Sequence, residues 1–436
     1  DVSKKSTRVI KRPASVRLLA WHPHRDQIAV LSGNESLHIL DLENDQEKIL
    51  TWQDPVSHSA RPVVWSPDGK VLTCGSREPW LRLWNADGTG VTHKWKVPGK
   101  GFTHVSWNSN NHRLTTLGIG DKVRFWTAEG KQVALLEGQE VYRYLTPVWS
   151  PDGKTSAILG RDGTIRFANQ RGQILSVYQD EDSRQNQVRW SPHSDLLAVA
   201  GTGDVAKVKL LDTDGRIVKT LQGDVTRICQ LDWHPQAHQL AMIDLEGTVR
   251  LWDIKDTKST IIGQHQKQGG SLAWSPDGKW LASSSSDLKI WNTDGKLQTT
   301  IVQSENVLID QLAWNAQSTW VAVQLFDRSI RLWKPNGETG PTLHGTALSR
   351  ESMAWNPQGD RIACSTRNHS LIVWDTSTGS PLWMGLELQG GKSAVIDSKG
   401  QLSVEDENAF NRQFVFVERV DGKTVFKTAG QWRQSK

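Results

Sequence analysis

Cysteine is scarce in this chain of 436 residues, and so are methionine and tyrosine, each of which occurs three times. Cys74, Cys229 and Cys364 lie far apart, so they form no CxxC pair and no set of paired spacings. This excludes a disulfide-based fold, and we expect the three side chains to be buried as small apolar groups. Sparse cysteine is typical of a reducing compartment, so we predict a cytoplasmic protein.

Long apolar runs are missing as well. No stretch of about 18 apolar residues occurs, so the sequence predicts no membrane insertion. No signal-peptide pattern opens the chain. Because the sequence begins at Asp1 and not at methionine, we expect a processed or excised piece of a longer protein, which leaves an exported origin open.

Most of the chain has no large excess of positive or negative charge. The net charge is +5 at pH 7, and residues 1–14 supply +4 of it from five basic residues and Asp1. The body of the protein is therefore nearly neutral and is not expected to bind nucleic acid. The basic N-terminal arm is predicted to be a solvated linker or an edge strand, with nucleic-acid binding through the arm as an alternative.

Tryptophan, by contrast, is abundant, with 22 copies in the chain. Nine of them recur at steps of 40 to 44 residues, which indicates an architecture built from similar units. These nine marker tryptophans are Trp21, Trp65, Trp107, Trp149, Trp190, Trp233, Trp274, Trp314 and Trp355.

Each repeat unit has the pattern of four short strands, because apolar and polar residues alternate with a period of two. The marker tryptophan is followed by a tight turn, which is SPDG at Ser66, Ser150 and Ser275. A strand of small residues, an acidic or glycine-bearing turn and a strand ending in an aromatic or apolar residue come next. A polar turn and a fourth strand complete the unit, so the pattern predicts one four-stranded antiparallel sheet per unit.

The repeated phrase resembles the WD-repeat (tryptophan–aspartate repeat) family of β-propellers, in a style common in bacterial proteins. The Trp-Asp dipeptide occurs at Trp252–Asp253 and Trp374–Asp375, and Trp-Asn replaces it at Trp84 and Trp291. The Gly-His dipeptide that usually precedes the first strand is missing, so we expect a weakened internal hydrogen-bond network in many units. The resemblance covers residues 15–386 and implies an all-β propeller of four-stranded antiparallel blades.

The repeat count predicts nine to ten blades. Residues 1–14 are the basic N-terminal arm, whose TRVIKR segment is a candidate closing strand, and residues 15–386 hold nine WD-type blades. Residues 387–432 have the pattern of a degenerate tenth blade or a C-terminal cap, and residues 433–436 are a tail. We expect one large ring, with two rings or a ring plus a partial ring as the alternatives.

In seven units a basic residue lies two positions before the tryptophan position of the third strand, and we call this set the column of basic residues. Residues i and i+2 lie on the same strand face, so we expect each cation to pack beside its own tryptophan and not to form a phosphate site. These residues are Arg82, Arg124, Arg166, Lys209, Arg250, Lys289 and Arg331.

Patterns for metal, cofactor or catalytic sites are incomplete. The DTDG turn at Asp212 lacks the further oxygen ligands of a calcium loop. His22 and His24, like His234 and His238, have no cysteine or carboxylate spaced to complete a zinc set. No phosphate-binding loop and no GxSxG nucleophile elbow occurs, so we predict no catalytic, cofactor or metal site.

Large residues that break the repeat pattern are the candidates for partner binding. They fall in the loops between strands two and three and between strands four and one, which the resemblance places on one partner-binding rim. Tyrosine, tryptophan and arginine are also common interface anchors. The predicted partner-binding residues are Arg77, Trp80, Tyr142, Arg143, Tyr144, Arg161, Phe326, Arg328, Arg367 and His369.

Three functions follow as hypotheses. The favoured one is a non-enzymatic scaffold that binds a protein or peptide, as the sensor or regulatory part of a larger bacterial signalling protein. Such a protein would carry or associate with a kinase or nucleotide-hydrolysing domain. The alternatives are an enzyme with inward ionisable groups in the central channel and a nucleic-acid-binding protein that uses the basic arm.

Overall fold

Forty β-strands and no helix make up the described part of the chain in the computed structural model. Within that part, no helix is long and apolar enough to cross a membrane. The structure describes residues 16–32, 36–44, 46–51, 60–76, 80–87, 91–96, 100–110, 113–119, 122–127, 129, 131–136, 147–160, 163–179, 185–201, 207–221, 227–256, 258–266, 270–302, 309–327, 329–345, 348, 353–365, 371–388, 392–397, 402–404, 416–420 and 423–427.

The first eight sheets each have four antiparallel strands that follow one another in chain order. The strands of blades 1 to 4 are β1 (Val16–Trp21), β2 (Gln27–Ser32), β3 (Ser36–Asp41), β4 (Gln46–Thr51), β5 (Ala60–Trp65), β6 (Val71–Ser76), β7 (Trp80–Asn85), β8 (Val91–Lys96), β9 (Lys100–Trp107), β10 (Arg113–Ile119), β11 (Val123–Thr127), β12 (Gln132–Leu136), β13 (Val148–Trp149), β14 (Thr155–Leu159), β15 (Thr164–Asn169) and β16 (Ile174–Gln179).

Blades 5 to 8 repeat the same arrangement, and every first strand again ends at a marker tryptophan. Their strands are β17 (Gln185–Trp190), β18 (Leu197–Gly201), β19 (Val208–Leu211), β20 (Ile217–Leu221), β21 (Ile228–Trp233), β22 (Gln239–Asp244), β23 (Thr248–Asp253), β24 (Lys258–Gln264), β25 (Ser271–Trp274), β26 (Trp280–Ser284), β27 (Asp287–Asn292), β28 (Leu297–Val302), β29 (Ile309–Trp314), β30 (Val321–Leu325), β31 (Ser329–Trp333) and β32 (Thr339–His344).

The ninth sheet is larger, because it has six strands. They are β33 (Ala354–Trp355), β34 (Arg361–Ser365), β35 (Leu371–Asp375), β36 (Pro381–Leu388), β37 (Lys392–Asp397) and β38 (Leu402–Val404). A separate hairpin follows, made of β39 (Phe416–Val420) and β40 (Lys423–Lys427). The segment that the sequence marks as a tenth blade or cap therefore begins by extending the ninth sheet outward.

The position of each strand in its blade follows from its residues. First strands contact the first strands of neighbouring blades, so they form the inner wall of the ring. Second and third strands are rich in apolar residues and are almost fully buried, as in β14 and β30. Fourth strands have mostly exposed side chains and one buried residue near the end, as in β16 and β20, and form the outer wall.

The nine blades close into one ring, as the repeat spacing predicts. Ile28 and Val30 of blade 1 pack in one apolar cluster with Ala363 and Val373 of blade 9. Every described sheet consists of consecutive strands, so packing and hydrogen bonds between the first and last blades close this part of the chain. The candidate closing strand in residues 1–14 lies outside the described residues.

Candidate functional site

The marker tryptophans join each blade to the preceding one, and we call these junctions seams. Six of them donate their indole N–H to the backbone carbonyl of the residue just before the preceding marker tryptophan. The pairs are Trp65 with Ala20, Trp190 with Val148, Trp233 with Arg189, Trp314 with Ala273, Trp355 with Ala313, and Trp21 with Ala354, at 3.0 to 3.1 Å.

The indole N–H groups of the remaining three marker tryptophans do not have this backbone acceptor. Trp107 and Trp149 donate to the hydroxyls of Thr73 and Thr115 at 3.0 and 3.1 Å. The indole N–H of Trp274 has no partner among the described atoms. The repeated phrase therefore serves the packing of blades, because equivalent side chains lie in equivalent seams.

Two histidines hold seams, and each has both ring nitrogens hydrogen-bonded, Nδ1 within its own turn and Nε2 to the next blade. His22 Nδ1 accepts the backbone N–H groups of His24 and Arg25, both at 3.0 Å, so its proton sits on Nε2 and is donated to the carbonyl of Gly69 at 3.0 Å. His234 does the same at the seam between blades 6 and 7, where Nε2 donates to the carbonyl of Gly278 at 2.9 Å. Burial lowers the pKa of both imidazoles. The turn histidines therefore have a structural partner set in place of a metal.

Other seams use amides and hydroxyls at the same turns. Asn108 donates its side-chain N–H to the carbonyl of Gly153 at 3.1 Å, and Gln317 donates to the carbonyl of Pro357 at 3.2 Å. The hydroxyl of Ser318 accepts the backbone N–H of Asp277 at 3.0 Å. Several positions of these turns, filled by histidine, asparagine, glutamine or serine, thus make hydrogen bonds between blades.

Blade 7 contains a complete side-chain network that the sequence reading missed. Trp291 donates its indole N–H to the hydroxyl of Ser283 at 2.8 Å, and this hydroxyl lies 2.9 Å from His265 Nε2. His265 Nδ1 donates to the Asp287 carboxylate. The Gly-His dipeptide is missing here as well, because Gln264 separates glycine and histidine, but His265 still completes the network in this blade.

The network also explains the charge state of its carboxylate. Burial alone would raise the pKa of Asp287. The hydrogen bond from His265 and the electrostatic influence of His265 and Lys289 outweigh burial and hold the pKa below its ordinary value. Asp287 is therefore ionised at neutral pH, and it accepts hydrogen bonds as a structural group.

The column of basic residues is packed between blades. Arg82 and Arg124 are 2% exposed and Arg250 is 9% exposed, so these cations do not form an open phosphate site. Arg250 donates to the hydroxyl of Ser259 at 3.0 Å, and Lys209 lies 5.9 Å from the ring centre of Tyr178 in the preceding blade. Arg250 and Lys209 thus contact side chains within their own blade and in the preceding blade.

Two of the predicted partner-binding residues lie in the described part of the chain. Trp80 opens β7, where it is in register with Lys96 of β8. Phe326 lies in the turn between β30 and β31, and its side chain is 45% exposed. The other eight predictions fall outside the described residues, namely Arg77, Tyr142, Arg143, Tyr144, Arg161, Arg328, Arg367 and His369.

Phe326 lies on the side of the ring that carries the turns between second and third strands, which we call the upper rim. Asp327, the next residue, is exposed, and its carboxylate accepts hydrogen bonds from Ser329 at 2.6 Å and from Arg331 at 3.1 Å. Burial would raise the pKa of Asp327, but these bonds and the charge of Arg331 lower it. In blade 6, Glu246 is exposed at the corresponding turn. The described upper rim thus combines one exposed aromatic ring with two exposed acidic residues, of which Asp327 is held by hydrogen bonds.

The inner wall has one strongly perturbed ionisable group. Burial raises the pKa of Asp232 to about 6, and its carboxylate accepts the backbone N–H of Trp274 at 2.8 Å. Arg189 of the neighbouring blade is exposed and lowers that pKa in part. Within the described ranges, no three His, Cys, Asp or Glu side chains form a group that could hold a metal ion.

The cysteines are free thiols at separate places in the ring. Cys74 and Cys364 are fully buried, as expected for small apolar side chains, whereas Cys229 is half-buried. Burial raises the pKa of Cys74 to about 12, so its thiol stays protonated at neutral pH. These environments suit packing better than redox chemistry.

The fold and its seams define a nine-bladed β-propeller. Two family models match the sequence, the anaphase-promoting complex subunit 4 WD40 domain at residues 19–110 and 188–269, and the WD domain, G-beta repeat at residues 259–292 and 342–375. Together they cover more than half of the chain. The protein belongs to the WD40-repeat family.

A sequence relative shows how much of this likeness extends along the chain. The WD repeat-containing protein WDS homolog of Arabidopsis thaliana is 26% identical over 262 residues, which are 55% of this chain and 47% of the relative. The chain spans about half the length of this curated relative. The matching relatives are eukaryotic, so they give no support to a bacterial style of repeat.

Solved structures share the fold. The structure of a eukaryotic initiation factor has a TM-score of 0.64 and 13% identity, and the match covers 86% of this chain and 96% of that one. Sqt1 of Chaetomium thermophilum, bound to the N-terminus of the ribosomal protein L10, has a TM-score of 0.51 and 15% identity, with 74% and 97% covered. At these identities the likeness shows the fold alone.

Proposed function

We propose that this protein is a non-enzymatic interaction scaffold that binds a protein or peptide on its upper rim. The observation that carries the proposal is Phe326, an aromatic ring 45% exposed at a turn of that rim. Aromatic side chains are frequent anchors of interfaces because they bury a large area with little loss of side-chain freedom. A propeller of this fold, Sqt1, is described as bound to the N-terminus of another protein.

The surroundings of Phe326 favour a partner segment with basic residues next to an apolar one. Asp327 and Glu246 are exposed carboxylates of the described upper rim. Opposite charges at the edge of an interface speed encounter and fix orientation more than they add affinity. The apolar contact to Phe326 is therefore expected to supply most of the binding free energy.

A regulatory role within a larger signalling protein is the finer form of this proposal. The chain spans about half the length of its Arabidopsis relative, so further domains are compatible with the family. In this form, the ring senses a partner, and a kinase or nucleotide-hydrolysing domain that is fused or associated responds in the cytoplasm.

Site-specific crosslinking tests the proposed docking surface. A photoreactive phenylalanine analogue at position 326 is expected to capture the partner in cells, whereas the same analogue at position 261 is not. Ile261 is the matched control, because it is an apolar residue 57% exposed on the outer strand β24.

The affinity of the captured partner, measured with purified protein, completes the test. Phe326→Ala is expected to weaken binding by about tenfold or more, whereas Ile261→Ala leaves it unchanged. Equal crosslinking from both positions, or an unchanged affinity of Phe326→Ala, would show that the partner does not bind on this rim.

A further inference from the structure

His22 and His234 occupy equivalent positions in two different seams. Each follows a marker tryptophan, and each ring stands edge-on against the marker tryptophan of the next blade. The ring centres of His22 and Trp65 are 4.9 Å apart, and those of His234 and Trp274 are 4.7 Å apart. The side chains are 2% and 7% exposed, so the imidazoles belong to the packed interior of the seams.

Both imidazoles are suited to the neutral form alone. His234 Nδ1 accepts the backbone N–H groups of Gln236 at 3.1 Å and of Ala237 at 2.8 Å, while Nε2–H reaches the next blade. A second proton can bind only at Nδ1, where it would face two N–H donors. Protonation therefore removes the acceptor of two backbone groups and places a charge in a buried seam.

The charged groups around the two rings do not reverse this preference for the neutral imidazole. His22 faces His24 and Arg25 of its own turn, which oppose protonation, and Asp68 of the facing turn, which favours it. Burial is the largest influence on the pKa of His22, and it outweighs Asp68.

Three titratable groups also lie near His234. His238 lies in its own turn, Asp232 lies two residues earlier on β21, and Asp277 belongs to the facing turn beside Gly278. The carboxylate of Asp277 is engaged with the hydroxyl of Ser275 and the backbone N–H of Lys279. Burial again is the largest influence on the pKa of His234 and lowers it.

Serine or asparagine, neither of which titrates near neutral pH, follows the marker tryptophan in the other seven units, and further residues of these turns also join seams. Asn108 joins blades 3 and 4, and Gln317 joins blades 8 and 9. The hydroxyls of Ser194 and Ser318 join blades 4 and 5 and blades 7 and 8. The two histidine seams divide the ring into an arc of blades 2 to 6 and an arc of blades 7 to 9 with blade 1.

We propose that His22 and His234 make two nearly opposite seams of the ring sensitive to acid, so that the ring loosens between these two arcs when both imidazoles are protonated. This inference is independent of the partner proposed for the upper rim. It assigns a regulatory role, a response to mild acidification, to the two turns that begin with Trp-His-Pro at Trp21 and Trp233.

The direction of the pH effect follows from the lowered pKa values. Above the ordinary value of 6.5, both the folded and the unfolded chain hold neutral imidazoles. Below it, the imidazoles of the unfolded chain bind protons before those of the folded protein. The free energy of unfolding therefore decreases as the pH is lowered, until the folded protein also binds the protons. Asp232, whose pKa is raised, acts in the opposite direction as the pH falls through about 6.

Hydrogen exchange of the unaltered protein gives the first test. The amides of Arg25 and Ala237, which donate to the two imidazoles, are expected to lose protection between pH 7.5 and 5.5 after correction for intrinsic exchange. The amides of Arg113 and Trp320 donate to Asn108 and Asn315 in the equivalent turns and are expected to keep theirs. Equal changes in all four turns would overturn the proposal.

A double variant gives the second test. His22→Asn with His234→Asn supplies the asparagine that the chain itself uses at Asn108, so seam contacts are retained without a titrating group. The free energy of unfolding is measured in urea between pH 7.5 and 5.5. Its dependence on pH is expected to be weaker in the variant, by the equivalent of up to two bound protons. Asp232 is common to both proteins and cancels in the comparison. An unchanged slope would also overturn the proposal, and exchange in the unaltered protein decides if the variant does not fold.

Discussion

Single hydroxyl groups decide how well a blade of this ring is held together, and Ser283 is the clearest case. Its oxygen accepts the indole N–H of Trp291, and its O–H is donated to His265, whose other nitrogen is bound to Asp287. All four members are buried, and the two central members, Ser283 and His265, have a partner on both sides, so the groups stabilise one another. Removing the central member leaves two buried polar groups without partners.

Ser283→Ala is therefore expected to destabilise the protein by about 2–4 kcal/mol, because the indole of Trp291 and Nε2 of His265 both lose their partner. Ser284→Ala is the matched control. Ser284 is 1% exposed in the same strand, but its hydroxyl makes one long hydrogen bond of 3.4 Å to the carbonyl of Ser271. The control is expected to cost about 1 kcal/mol or less in urea unfolding, and equal losses would contradict the network.

The marker tryptophans were predictable from the sequence, whereas the histidines were not. Regular spacing identifies Trp274 and its equivalents because the same packing problem recurs in every blade. His22 and His265 depend on contacts with other turns and strands, and a lone histidine in the sequence does not show what it faces. The pattern Gly263–Gln264–His265 before the first strand was the available signal for blade 7.

The tight turn after each marker tryptophan is the element that sets the spacing of neighbouring blades. Gly278 has a φ angle of 75° and lies against the histidine of the preceding turn. A Cβ atom at this position would be 2.5 Å from Cε1 of His234 and 2.3 Å from Oε1 of Gln236. Glycine is needed here both for its backbone conformation and for the close approach of the two turns.

Gly278→Ala is expected to lower stability by about 2–4 kcal/mol, because it combines a left-handed backbone with a clash at the seam. Gly337→Ala separates the two effects. Gly337 has a φ angle of 87°, but a Cβ atom there would be 3.0 Å from the terminal methyl group of Thr299. This control is expected to lose about 1–2 kcal/mol in the same urea measurement. Equal losses in the two variants would show that the close approach is unimportant.

The strands at the end of the chain show the limit of local patterns. The segment around Ile396 alternates like a first strand, and the sequence predicts a degenerate tenth blade or a C-terminal cap for it. In the structure, β37 pairs with β36 instead, from Trp383 with Asp397 to Leu388 with Lys392. Alternation identifies a strand but not its partner, because every unpaired outer edge offers the same backbone groups.

At the scale of the whole molecule, the ring has one seam that chain connectivity does not support. Blades 1 and 9 are far apart in sequence, so in the described part of the chain the closing seam is held by contacts between these two blades. Trp21 donates its indole N–H to the carbonyl of Ala354 at 3.1 Å, and the carboxylate of Asp26 pairs with Arg361. Nine marker tryptophans predict nine units, but the closing contacts join residues more than 300 positions apart and depend on the curvature that the blades impose together.

Trp21→Ala is expected to open the ring at the closing seam, whereas the same change in another seam does not. Trp355→Ala is the matched control, since Trp355 is also half-buried and donates to the carbonyl of Ala313 at 3.1 Å, but its seam joins consecutive blades. Both changes remove a large side chain and destabilise by about 3–5 kcal/mol. In the control, the connection between blades 8 and 9 keeps them close. In Trp21→Ala, the first and last blades can separate. Small-angle X-ray scattering is therefore expected to give a larger radius of gyration for Trp21→Ala, and hydrogen exchange is expected to rise in both β1 and β33. Identical scattering of the two variants would show that closure does not depend on this seam.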